Sequence, residues 1–171
     1  ISRDLGAGAR AVAGLVCAQT GYELYGTKLI ESLATDLRVQ RQLIDGMDEM
    51  ASGTLDMLMD GLLRGQEVDH SEYFHSLARV VGAFGVEGGV VLLGRGASLV
   101  LRERAGLRVL ITGSEPVRVM RVMEYHDIGE VEERILVHKV DRDRAAFTRQ
   151  HFKADLRSPE HYDLCINTDR L

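Results

Sequence analysis

The first eleven residues, Ile1-Ser2-Arg3-Asp4-Leu5-Gly6-Ala7-Gly8-Ala9-Arg10-Ala11, carry the clearest chemical signal in this chain. A strand-like end, a loop of small residues and an apolar helix-forming run follow one another. That order aims backbone N–H groups and the positive end of a helix dipole at one point, which suits a phosphate. A second signal lies in the basic residues. Eighteen of the 21 are arginine, and only Lys28, Lys139 and Lys153 are lysine. Arginine offers a planar, permanently charged fork that grips phosphate or carboxylate at two points. Residues 1–90 hold 7 basic and 13 acidic side chains, and residues 91–171 hold 14 and 13. The second half therefore supplies most candidates for anion chemistry, and position must separate them from a plain arginine bias in composition.

Two phosphate motifs compete at the glycine loop. The strict P-loop pattern needs Gly-Lys followed by Ser or Thr, and none of the three lysines follows a glycine. Gly6, Gly8 and Ala11 satisfy the looser dinucleotide pattern. That pattern also requires an acid about 20 residues later, at the end of the second strand. Glu23 stands 17 residues after Gly6 and is followed by more strand-like sequence, so the match is partial.

The elements that would position these residues alternate. Ile1-Ser2 reads as the tail of a strand, and the chain opens abruptly, so a truncated first strand is expected. Tyr22–Tyr25, Val90–Leu93, Arg108–Thr112 and Tyr162–Ile166 read as further strands, each separated by helical stretches. Such alternation indicates a parallel sheet covered on both faces. Ala11 to Gln19 reads as a buried helix. Thr27 can cap a helix with Ile30, Leu33, Ala34 and Leu37 inward, and Thr54 one with Leu55, Leu58, Met59 and Leu62. Ser71 precedes a helix bearing Phe74, Leu77 and Val81, and Ser114 with Pro116 opens another. Residues 130–150 form the most charged helical stretch. Met47, Met50, Met57 and Met59 mark the long strand-free region as gap-filling core or as a mobile helical insertion.

Composition bounds the rest. With 171 residues, 45% apolar and 27% charged, the chain is one ordinary globular domain. No run approaches the ~18 apolar residues of a membrane span. The net charge of −5 argues against a nucleic-acid partner. Cys17 and Cys165 read as buried thiols of a reducing compartment. The histidines show no metal-ligand spacing. Asp163, at a strand end, is expected to meet an arginine or a backbone cap.

Taken together, the residues resemble the cytidylate kinase-like family, a branch of the P-loop nucleoside monophosphate kinases. The run Ile-Ser-Arg-Asp-x-Gly-x-Gly-x-Arg is similar to that family's opening. Gly94-Arg95-Gly96 follows the third strand as a Gly-Arg-Gly does there. Arg118 and Arg121 resemble its arginine pair, and Asp141 with Arg144 its Asp-x-x-Arg. Tyr162-Asp163-Leu164 leading to Asn167-Thr168 resembles its closing signature.

The resemblance implies a P-loop NTPase-type, three-layer α/β/α domain over residues 1–171 with a five-stranded parallel sheet. It further implies a helical nucleotide-binding insertion at about 36–88 and a lid at about 125–155. The implied activity is transfer of the ATP γ-phosphoryl group to a nucleoside monophosphate or similar small acceptor, with Mg²⁺, in the cytoplasm. A homodimer is compatible with it; nucleic acid and membrane are not expected partners. By position, Arg3, Gly6, Ala7, Gly8, Ala9, Arg10 and Ala11 would hold the donor phosphates. Arg95 would hold the acceptor phosphate. Arg10, Arg118, Arg121, Arg142 and Arg144 would serve the transferring group, and Asp4 would reach the metal through water.

Three departures from the wider pattern motivate an alternative. Ala9 stands where ordinary P-loops place lysine, Ala11 where they place a metal-binding hydroxyl, and Gly26 where this family usually has Asp. These substitutions fit a catalytically degenerate nucleotide- or anion-binding regulatory module of the same fold.

Overall fold

Strands and helices alternate, and all strand pairs are parallel. The structure, a computed structural model, describes residues 1–26, 72–104, 106–124 and 129–171, with residues 30, 47, 55, 57 and 59. In chain order these are β1 (Ser2–Arg3), α1 (Ala9–Thr20), β2 (Glu23–Gly26), α2 (Glu72–Glu87), β3 (Val90–Leu93), α3 (Ala97–Leu101), β4 (Val109–Thr112), α4 (Glu115–Met123), α5 (Glu130–Phe152) and β5 (Leu164–Asn167). One-turn 3₁₀ segments follow α3 and precede β5.

The expected single five-stranded sheet is corrected to three strands plus two. β1, β4 and β5 form one sheet in the order β1-β4-β5, and β2 pairs with β3 in another. The split falls at β1, which is only two residues long. Two hydrogen bonds join the sheets there: Ile1 N donates to Leu92 O at 2.7 Å, and Gly94 N donates to Ile1 O at 3.0 Å. β3 thus lies between β2 and the start of β1. A dinucleotide-binding half would pair β2 directly with β1, so this order excludes that reading.

The main apolar core lies between α2, α3 and β3. Phe74, Leu77, Val80 and Val81 of α2 are fully buried, each contributing about 1.5–3 kcal/mol on burial. Ile30, Leu55 and Met59 join them, and Met47 packs against the cluster. The α2 helix thus appears with its expected inner face. The caps at Thr27 and Thr54, and most of the 36–88 insertion, lie outside the described residues.

Two expectations of burial are corrected. In α1 only Ala9 and Ala13 are buried, while Leu15 is 65% exposed and Val16 37%. The helix presses its small residues onto the sheet and turns its larger ones outward. Cys17 is half-buried and Cys165 exposed, the latter because β5 ends its sheet. Among the described residues, no helix is long and apolar enough to cross a membrane.

Candidate active site

β1 ends at the loop Asp4–Gly8, which turns the chain into α1. The loop reverses through two left-handed glycines, Gly6 (φ 77°) and Gly8 (φ 74°). At Gly6 the smallness is also steric: a Cβ would stand 2.4 Å from Arg118 O. Gly8 caps α1 with its backbone alone, accepting from Ala11 N and Val12 N. No acidic side chain occupies the first turn of α1, so the positive end of the helix dipole faces the loop unneutralised.

The loop is held from beneath. Arg118, only 5% exposed, donates to Gly113 O and Leu5 O and forms an ion pair with Asp141. Leu5 N donates to Asp141 Oδ1 at 3.0 Å. Thr168 Oγ1 donates to Ala7 O, and Thr112 Oγ1 donates to Asp4 Oδ2 at 2.6 Å. Arg157 donates to Asp4 Oδ1 at 3.0 and 3.3 Å. Every side of the turn therefore has a named anchor.

One cavity opens beside this loop and a second beside β1. The first, about 760 Å³, is bordered by Gly6, Gly8, Ala9, Arg10, Ala11 and Arg121, among others. The second, about 420 Å³, is bordered by Ser2, Gly94, Arg95, Gly96, Asp143 and Phe147, among others. Arg3, Val140 and Arg144 line both cavities. Arg144 Nη1 donates to Arg3 O at 3.3 Å. Desolvation lowers the Arg3 pKa to about 10, and the like charges of Arg144, Arg95 and Arg10 add to the shift. Arg144 is also lowered, mainly by desolvation, with Asp141 and Asp4 opposing. A concentration of poorly hydrated positive charge next to a glycine loop and a helix N-terminus is suited to a multiply charged anion.

A model of the cytidylate kinase-like family matches residues 1–170. The chain belongs to that family. The crystal structure of an uncharacterized protein from Eubacterium ventriosum ATCC 27560 is similar in fold, with a TM-score of 0.63 at 18% identity. The match covers 97% of this chain and 85% of that one. No curated protein matches the chain at a significant level.

In this cytidylate kinase-like chain the expected site residues divide. Arg3, Gly6, Gly8, Ala9, Arg10 and Ala11 all border the first cavity, whereas Ala7 is fully buried beneath it. Arg95 borders the second cavity, and Arg144 both. Arg121 reaches the first cavity, but its guanidinium donates to Thr168 Oγ1, Thr168 O and Leu171 O. Arg118 is committed to the loop anchors, and Arg142 is exposed and borders neither cavity. Sequence reasoning missed Arg157, Phe147, Thr112 and Asp143. Only Phe147 carried a signal: it stands three residues beyond Arg144 on a helix, within one turn of the same side.

The expected metal role of Asp4 fits this family member poorly. Thr112 and Arg157 already engage the two oxygens of a carboxylate that is 6% exposed. Ala9 and Ala11 offer no hydroxyl, and the described residues contain no group of three metal-ligating side chains. Among the described residues, the groups bordering the two cavities that can neutralise an anion are arginines and backbone amides.

Proposed function

We propose that this chain is a nucleoside monophosphate-type kinase that moves the γ-phosphoryl group of ATP to a nucleoside monophosphate or similar small acceptor. Family membership supports a nucleotide kinase-like function in general. The observation that carries the finer reading is that Arg3 and Arg144 line both cavities. Backbone amides of Gly6, Gly8, Ala9 and Arg10 receive the donor phosphates, and Arg95 receives the acceptor phosphate. An acceptor oxygen attacks Pγ, the bond from Pγ to the β–γ bridging oxygen breaks, and ADP leaves with the electron pair. Charge then spreads over the equatorial oxygens of the moving group, where Arg3 and Arg144 neutralise it. Arg118 contributes by fixing the loop, and Arg142 has no part in this reading. The free thiols of Cys17 and Cys165 suit a cytoplasmic setting.

A coupled assay with ATP and each common nucleoside monophosphate tests this. Turnover with at least one acceptor is expected, falling roughly 10²–10³-fold in Arg144→Ala. Absence of turnover with all of them overturns it. The second reading, a degenerate nucleotide-binding module, is favoured by Ala9, Ala11, Gly26 and the engaged Asp4. It predicts that nucleotide raises the thermal midpoint without any phosphate transfer.

A further inference from the structure

Asp4 is an awkward neighbour for a phosphate. It is buried, stands two residues before Gly6, and borders the first cavity together with the glycine loop. A carboxylate in a region of low dielectric repels an anion more strongly than an exposed one does. Its charge reaches as far as Arg144, on which it acts electrostatically. Thr112 Oγ1 donates to Asp4 Oδ2, but a neutral hydroxyl leaves the negative charge in place.

Arg157 supplies the opposite charge. Its Nε and Nη2 both donate to Asp4 Oδ1, at 3.3 and 3.0 Å, and Nη2 also lies 3.7 Å from Asp141 Oδ2. The side chain reaches in from solvent, so its aim depends on the turn that carries it. That turn is fixed on both sides of Arg157. Arg157 N donates to Asp155 Oδ1 at 2.9 Å, and Ser158 N donates to Asp155 O at 3.1 Å. The buried Tyr162 donates its hydroxyl to Leu156 O at 2.7 Å. With Arg118 and Arg144, Arg157 sets three guanidinium groups against the two carboxylates of Asp4 and Asp141. Among the described residues, Arg157 is the cation hydrogen-bonded to Asp4.

We propose that Arg157 is a positioning residue for the anion of the first cavity: it neutralises the buried Asp4 carboxylate, so that the glycine loop accepts phosphate without a metal ion covering that charge. This rests on the phosphate role of the first cavity in the reading above. It assigns to Arg157 the carboxylate that the family resemblance would give to a metal. Arg157 acts through Asp4 and not on the phosphate itself, so removing the carboxylate should make Arg157 dispensable.

The test uses wild type, Arg157→Gln, Arg157→Lys, Asp4→Asn and the double variant Asp4→Asn with Arg157→Gln. Binding of pyrophosphate and of ADP is measured by calorimetry in EDTA, and then with Mg²⁺. Wild type should bind both ligands in EDTA. Arg157→Gln should weaken both roughly 5–50-fold, because an uncompensated carboxylate then faces the anion. Arg157→Lys keeps the charge and should stay within about threefold of wild type, as should the double variant. Asp4→Asn alone should bind at least as tightly as wild type. A purely structural strut between the two residues predicts otherwise, since breaking it from either side would weaken binding alike. Equal losses in Asp4→Asn and Arg157→Gln therefore overturn the proposal, as do wild-type affinity in Arg157→Gln or a double variant no better than Arg157→Gln. Should Arg157→Gln not fold, the other two Asp4→Asn proteins decide, and weaker binding in either overturns it. Wild-type binding that appears only with Mg²⁺ overturns the proposal and leaves the kinase reading standing. Metal-free binding with the expected rescue, but no turnover with any nucleoside monophosphate, sinks the kinase reading alone. A wild type that binds neither ligand under either condition overturns both.

Discussion

Arg118 and Asp141 form a clasp that closes on a single residue of the glycine loop. Arg118 donates to Leu5 O, Leu5 N donates to Asp141, and the two side chains meet in an ion pair. The clasp therefore ties α4 to α5 through the loop's own backbone. Removing Asp141 strips the buried Arg118 of its carboxylate partner, which costs about 3–5 kcal/mol, whereas Asp141 itself also lies 3.8 Å from Arg144 and 3.7 Å from Arg157. Asp141→Ala should lower the thermal midpoint by roughly 6–20 °C for a chain of this size. Differential scanning calorimetry checks this; a change of under two degrees would show that the pair contributes nothing net.

Arg3 carries its charge at a cost. Its folded pKa of about 10 lies well below arginine's ordinary value, with desolvation the main cause. A base with a lowered folded pKa destabilises the fold wherever it is protonated in both states, below about pH 10. The cost is relieved as pH rises above about 10. Arg3→Met should therefore stabilise the ligand-free protein at neutral pH by about 1–2 kcal/mol. It should also abolish the rise in midpoint that phosphate or ATP gives to wild type. Thermal shift with and without phosphate reads both effects, and a destabilised Arg3→Met that still responds to phosphate would contradict them.

Asp163 gives an acid-side signature. Hydrogen bonds from the side chain and backbone N–H of Arg108 hold its pKa down to about 2 from 3.8. A depressed carboxylate contributes stability above its unfolded pKa, and that contribution is lost as pH falls through the folded value. The midpoint difference between wild type and Asp163→Asn should stay constant from pH 8 to 5. It should then shrink between about pH 4 and 2. Thermal melts across that range check it; a gap that widens on acidification would reverse the assignment.

Much of the architecture was legible because it depends on local pattern. The alternation of strands and helices, the α2 inner face and the glycine loop each repeat over a few residues. Arg95 stood out because two glycines flank it, and Asp163 met the arginine expected of it. What failed was long-range. The apolar run of α1 predicts burial, but burial depends on what covers a face, and Leu15 and Val16 face outward. The expected single sheet becomes 3 + 2 because β1 pairs over only two residues. Arg118 belonged with the arginines of the site by its position in a helix. Its actual partner, Asp141, lies 23 residues away on another helix. Arg157 is an isolated arginine in a turn, and its partner Asp4 is 153 residues distant. No spacing rule reaches either pairing.

The 23 residues of α5 run without interruption from Glu130 to Phe152. At 1.5 Å per residue that is a rod of roughly 35 Å. Asp141, Arg144 and Phe147 sit on it in steps of three, touching in turn the loop, the strand that leads into it and the arginine of the second cavity. One continuous helix therefore sets the spacing between the loop's anchor and the second cavity, and a proline placed midway along it would displace both at once.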